Sequence, residues 1–165
     1  MNSPLDTGEI SSLISRSVST VLLRQFGLVA SERAESPSSA PGAENTVESS
    51  VALQGERIEG WLLLRLPAKL ASDLYQRLTG QGTPAAEGSQ AQAQDLATET
   101  SNILAGHVAA ALRATGRGCD LGIPQVDSDR SAARSPNPGQ LQYSGAWNTE
   151  LGWLAVDVHL RASNP

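Results

Sequence analysis

Residues 95–107 read DLATETSNILAGH, and the same pattern runs on through VAAALR. Leu96, Ile103, Leu104, Val108, Ala111 and Leu112 fall on one stripe at helical spacing, so the stretch predicts a helix over 95–115 with GRG as its exit. An apolar stripe of that length must face a sheet. Glu99, Asn102, Gly106, Ala109 and Arg113 fall on the opposite side. Glu99 and Asn102, three apart, stand side by side, and Gly106 follows one turn later on the same face. A glycine inside a helix costs about 1 kcal/mol relative to alanine. An outward glycine lets another backbone come close, which is a reason to tolerate that cost. Exposed Glu and Asn are also commonplace, and a small residue can simply ease helix packing. Spacing by itself leaves both readings open.

Working outward, Ile10, Leu13, Ile14, Val18, Val21, Leu22 and Phe26 predict an amphipathic helix over residues 8–27, started by Asp6 or Thr7 and ended near Gly27. Residues 31–45, rich in Ser, Pro, Ala and Glu, have nothing to bury and predict a flexible loop. From Val47 the period changes to two. Val47, Val51 and Leu53 share a face, as do Ile58, Leu62, Leu64 and Leu66, with QGER as the turn of a hairpin. Trp61 and Leu63 point the other way, which suggests a second strand covered on both sides. PAKLASDLYQRLTG is a short helix with Pro67 at its start and Gly80 at its close. A polar loop, QGTPAAEGSQAQAQ, leads into the 95–115 helix.

After that helix, CDLGIPQVD reads as a brief strand stopped by a proline. A last hairpin pairs LQYSGAW with LGWLAVDVHLRA. In its second arm Leu154, Val156, Val158 and Leu160 alternate with Ala155, Asp157, His159 and Arg161, predicting one buried and one wet face with His159 at the surface. The expected fold class is α/β: a largely antiparallel sheet packed against two long helices and a short one. The 165 residues suit one domain, with residues 46–162 as the core.

Composition narrows the function. With 39% hydrophobic and 18% charged residues and a net charge of −5, the chain has no basic cluster for nucleic acid or anionic membrane. Cys119 is alone, Lys69 is the one lysine, and the N-terminal stretch lacks the basic and apolar regions of a signal peptide. These features predict a cytoplasmic protein that binds neither nucleic acid nor membrane. Asp127 and Asp129 have no third metal ligand nearby, so no metal site is expected. The 2 histidines, His107 and His159, sit near no nucleophile motif, and the glycines of TGQG and GRG lack a phosphate-binding signature. Trp61, Trp147 and Trp153 suit core or dimer contacts better than a stacking platform.

DLATETSNILAGHVAAAL resembles the signature of the CheC/CheX phosphatases, which remove phosphate from the chemotaxis response regulator CheY. That signature is an acidic residue, then Glu-x-x-Asn, then x-x-x-Gly, met here by Asp95, Glu99, Asn102 and Gly106. LPAKLASDLYQRLTG and LGIPQV resemble the short helix before the signature and the proline-containing strand after it in CheX, so the likeness runs from Val47 to Leu160. There is one Glu-x-x-Asn where CheC typically has two, which makes CheX the nearer relative. His107 stands where the family often has asparagine.

The resemblance implies a CheC/CheX-like fold and a homodimer with sheets joined edge to edge. It implies a phosphorylated CheY-like response regulator as partner and Glu99 and Asn102 as catalytic residues. Asp95 and Gly106 would be partner-binding. Asn102 is no base, but its amide donates and accepts hydrogen bonds and can hold a water in line with a phosphoryl group. Glu99 would pair with a lysine of the partner. The protein would carry no cofactor, and the Mg²⁺ would be the partner's. The alternative is an inert module of the same fold that binds a signalling or flagellar-switch partner.

Overall fold

The computed structural model describes residues 6–33, 45–80, 89–126 and 141–163. Helix α1 (Thr7–Phe26) starts at Asp6, whose carboxylate accepts from the Gly8 amide at 3.1 Å. It stops at Gly27, whose φ of 66° is the left-handed cap that glycine adopts without strain. Strand β1 (Ser31–Glu32) follows, then β2 (Thr46–Gln54) and β3 (Ile58–Pro67). Helix α2 (Ala68–Thr79) leads to the long helix α3 (Ser89–Ala114). Two short strands, β4 (Asp120–Leu121) and β5 (Gln125–Val126), precede the C-terminal hairpin of β6 (Leu141–Thr149) and β7 (Gly152–Ala162).

The strands form one sheet in the order β1-β6-β7-β3-β2-β4, with β5 also on β2, and every pairing is antiparallel. Leu62 lies between Val51 and Val158, and Leu64 between Ser49 and Val156. The apolar ones among these side chains, with Leu53, Leu66, Leu154, Leu160 and Trp147, are buried in the main core. Helix α3 rests on β2 and β3, α1 on β6, and α2 packs against α3. An α/β layer pair with an antiparallel sheet and three helices is therefore the fold.

Several expectations need correction. Ser31 and Glu32, assigned to the loop 31–45, pair with Asn148 and Trp147. The Glu32 carboxylate accepts from the Tyr143 and Ser15 hydroxyls, each at 3.2 Å, partners that its local sequence does not reveal. The rest of that loop, apart from Arg33 and Asn45, lies outside the described residues. Helix α3 begins at Ser89 rather than Asp95. SQAQAQ is polar, but Ala and Gln are strong helix formers and Ala93 is buried. The stretch after Cys119 is two short strands instead of one, both on β2.

The second face of β7 is not wet. His159 is 4% exposed, Asp157 8% and Ala155 0%. Trp61 of β3 stacks on His159 with centroids 3.9 Å apart and planes at 17°. Asp157 receives hydrogen bonds from Arg65 and Ser144. The carboxylate can thus be buried because neighbouring strands supply its hydrogen bonds, and the imidazole is covered by the Trp61 ring.

Helix α3 is tied to β2 by a buried hydroxyl pair. Ser49 and Ser101 are both 0% exposed and their oxygens are 2.7 Å apart. The Ser101 hydroxyl already donates to the Thr98 carbonyl at 2.9 Å, so its single proton is used and Ser49 is the donor of the pair. Ser101→Ala strands that donor, whereas Ser49→Ala leaves Ser101 bonded to Thr98. Urea denaturation should therefore show a loss of about 1–3 kcal/mol for Ser101→Ala and less for Ser49→Ala. The double variant should lose less than the sum.

Burial first, and the Glu32 carboxylate second, push the Tyr143 phenol up to about 12. The folded state holds this proton more tightly than the unfolded chain, where phenol titrates near ~10. The stability it contributes is complete below that pH and is lost as pH rises toward 12. Tyr143→Phe should flatten the fall in melting temperature over this alkaline range.

Candidate functional site

The site is built on α3. Its 26 residues span about 39 Å at 1.5 Å per residue. Ala93, Leu96, Ala97, Thr100, Ser101, Leu104, Ala105, Val108, Ala109 and Leu112 form the buried side. That arc is broader than the single stripe predicted from sequence. Ala109, assigned to the outer face, is only 6% exposed, and Ile103 and Ala111 are half-buried rather than core. The widening follows from the packing: α3 touches α1, α2, β4 and β5 as well as the two strands beneath it.

The side left outside carries the polar residues in a narrow band, flanked by the exposed Ala91 and Ala110. Asp95, Glu99, Asn102 and Arg113 are exposed and Gly106 is half-buried. At 100° per residue these five positions fall within an arc of about 60°. Among the described residues, none hydrogen-bonds or ion-pairs with Asp95, Glu99 or Asn102. Lys69, the one lysine, pairs with Asp73 on its own helix at 2.6 Å. The outer face thus presents two carboxylates and an amide with their hydrogen-bonding capacity uncommitted.

A Cβ built on Gly106 meets nothing within 4 Å. No contact within the described residues requires glycine there, so the space over it is open to an external backbone. His107 is half-buried on the flank toward α1, in a groove also lined by Glu9 and Arg16. Both signs of charge meet there. Within the described residues no three His, Cys, Asp or Glu side chains gather to hold a metal ion, and no helix is long and apolar enough to cross a membrane. Asp127 and Asp129 lie outside the described residues. Trp147 is fully buried and Trp153 nearly so.

Sequence reasoning missed the Ser49–Ser101 tie. Serine at an inward position of a strand and of a helix reads as two ordinary polar residues, and only their meeting in space reveals the pair. It stands one residue from Asn102, so it holds the helix turn that carries the amide.

The chain matches the family model Chemotaxis phosphatase CheX over residues 47–143. No curated protein matches it in sequence. CheX from Vibrio vulnificus has the same fold, at TM-score 0.74 and 17% identity, covering 95% of this chain and 99% of that one. CheX from Borrelia burgdorferi, solved in complex with CheY, BeF3 and Mg²⁺, gives a TM-score of 0.71 at 17% identity, covering 91% and 96%. A chain of the FliG–FliM complex from H. pylori is more distant, at TM-score 0.52 and 10% identity over 91% and 90%. With the family match spanning more than half of its length and the architecture agreeing, the chain belongs to the CheX family.

Proposed function

We propose that this protein hydrolyses the phosphoaspartate of a CheY-type response regulator, acting in the cytoplasm as a homodimer. The observation that carries this reading is the pairing of Glu99 and Asn102. Both are exposed, within one narrow arc of a rigid helix, and neither has a partner among the described residues. Family membership supplies the substrate class, and the Borrelia relative was solved with CheY and Mg²⁺.

Asn102 enters the partner's active site and its amide holds a water in line with the acyl phosphate. The water oxygen forms a bond to phosphorus as the bond to the aspartyl oxygen breaks. The electron pair stays on the aspartate, and the water's proton leaves with phosphate or solvent. Phosphoryl transfer of this kind needs positioning and charge neutralisation more than covalent help. Mg²⁺ bound by the partner neutralises the phosphoryl oxygens. A carboxylate near them would repel, so Glu99 serves as an anchor for a cation of the partner, a lysine in this family. Asp95 adds negative charge one turn away, and Gly106 admits the partner's loop.

The second reading is an inert module that binds a signalling or flagellar-switch partner. The likeness to a FliG–FliM chain favours it. Phosphate release from a phosphorylated response regulator separates the two. The phosphatase reading expects acceleration that falls about a hundredfold or more in Asn102→Ala, with Glu99→Ala weakened chiefly in half-saturation. Binding without acceleration would favour the inert module. Light scattering at twice the chain mass checks the dimer.

Gly106→Ala gives a sharper contrast. The added methyl meets nothing within 4 Å, so the helix should gain up to about 1 kcal/mol. Thermal unfolding should rise while half-saturation by the response regulator worsens. A rise in both stability and affinity would remove Gly106 from the interface.

A further inference from the structure

The free edge of β2 does not carry a regular strand. Leu53 and Gln54 pair with Leu121 and Asp120, while Ser49 and Ser50 pair with Val126 and Gln125. Val51 and Ala52 therefore face three residues, Gly122, Ile123 and Pro124, which is a β-bulge. The Gly122 amide still reaches the Ala52 carbonyl at 2.8 Å, but Pro124 has no N–H to give. Ile123 is left 85% exposed and Leu121 38%. A large apolar side chain so far into water gains nothing from this fold.

Its position follows from two fixed points. The Ser49 side chain bonds Ser101 on α3, and the Ser49 backbone pairs with Val126, so Val126 is level with the turn holding Asn102. A Cβ on Gly55 would lie 2.3 Å from the Gly118 carbonyl oxygen, so the exit of α3 meets the end of β2 and the two run in the same direction. Ile123 precedes Val126 by three residues on an antiparallel segment. Because the bulge sets three residues against two, it is displaced about 8 Å toward the end of α3, or about five residues of helix. That sets it beside Gly106, on the flank of α3 away from α1.

We propose that Ile123 is an apolar anchor for the phosphorylated response regulator, with Leu121 extending the contact. The proposal rests on the function given above. A specific protein–protein contact buries about 500–800 Å² on each partner, more than one helix ridge of Glu, Asn, Gly and Ala can supply. The contact must spread from α3 onto a flank. Toward α1 the flank is a groove of mixed charge. Toward β4 and β5, both of which touch α3, it is Ile123 on the loop between them. The bulge and Pro124 close Val51 and Ala52 to an incoming strand.

Two readouts test it with the full chain: half-saturation for phosphate release, and titration against the response regulator activated with beryllofluoride. Ile123→Asp should worsen both about tenfold or more, and Ile123→Ala less, with the saturated rate and the light-scattering mass unchanged. Val29→Asp, which alters an equally open apolar residue (79% exposed) before β1, should change neither. Asn102→Ala should do the reverse, losing rate and keeping affinity. Wild-type affinity in Ile123→Asp overturns the anchor and leaves the phosphatase standing. A change of mass would assign Ile123 to self-association instead and also overturns it. Binding without phosphate release overturns the phosphatase, while its loss in Ile123→Asp still supports the anchor. No binding by the wild type overturns both.

Discussion

Burial of one broad side of α3 against β2 and β3 is the constraint on which the rest depends. Leu96, Leu104, Val108 and Leu112 are each at most 4% exposed, and each such side chain removed from water contributes about 1.5–3 kcal/mol. Hydrophobic burial is non-directional, however, and would tolerate some sliding or rotation of the helix. The Ser49–Ser101 bond removes that freedom at one level, because its hydroxyls have no alternative partner in water. With rotation set, Asp95, Glu99, Asn102 and Gly106 have nowhere to face but outward. The candidate site is a by-product of how its own helix is held.

The other face of the sheet shows the same logic in a different chemistry. Asp157 and His159 lie on the face of β7 turned away from the three helices, yet they are buried by what β3 and β6 place beside them. Arg65 and Ser144 reach the carboxylate, and Trp61 covers the imidazole. Ala146, Trp153 and Ala155 form a small separate apolar cluster. On this face, where no helix lies among the described residues, cross-strand neighbours cover the polar side chains of β7.

Much of this was legible in the residues. The period of three to four marked α1 and the apolar side of α3, because a helix on a sheet must bury a stripe. Alternation marked β2, β3 and β7, and Gly27 and Gly80 marked helix ends, since only a left-handed turn stops those helices cleanly. The Glu99–Asn102–Gly106 spacing marked the candidate site. What escaped was non-local. Ser31 and Glu32 became a strand through contacts with Trp147, Tyr143 and Ser15. The polar SQAQAQ joined α3 because propensity and the burial of Ala93 outweighed its loop-like composition.

The division has one physical cause. Periodicity, capping and the helix face shared by Asp95, Glu99, Asn102 and Gly106 depend on neighbours within a few residues, so the local sequence determines them. Which side of β7 is wet, where α3 begins, how Ser49 meets Ser101 and how the bulge at Gly122–Pro124 leaves Ile123 in water depend on strands and helices distant in sequence. Those were decided only when the tertiary structure brought the partners together.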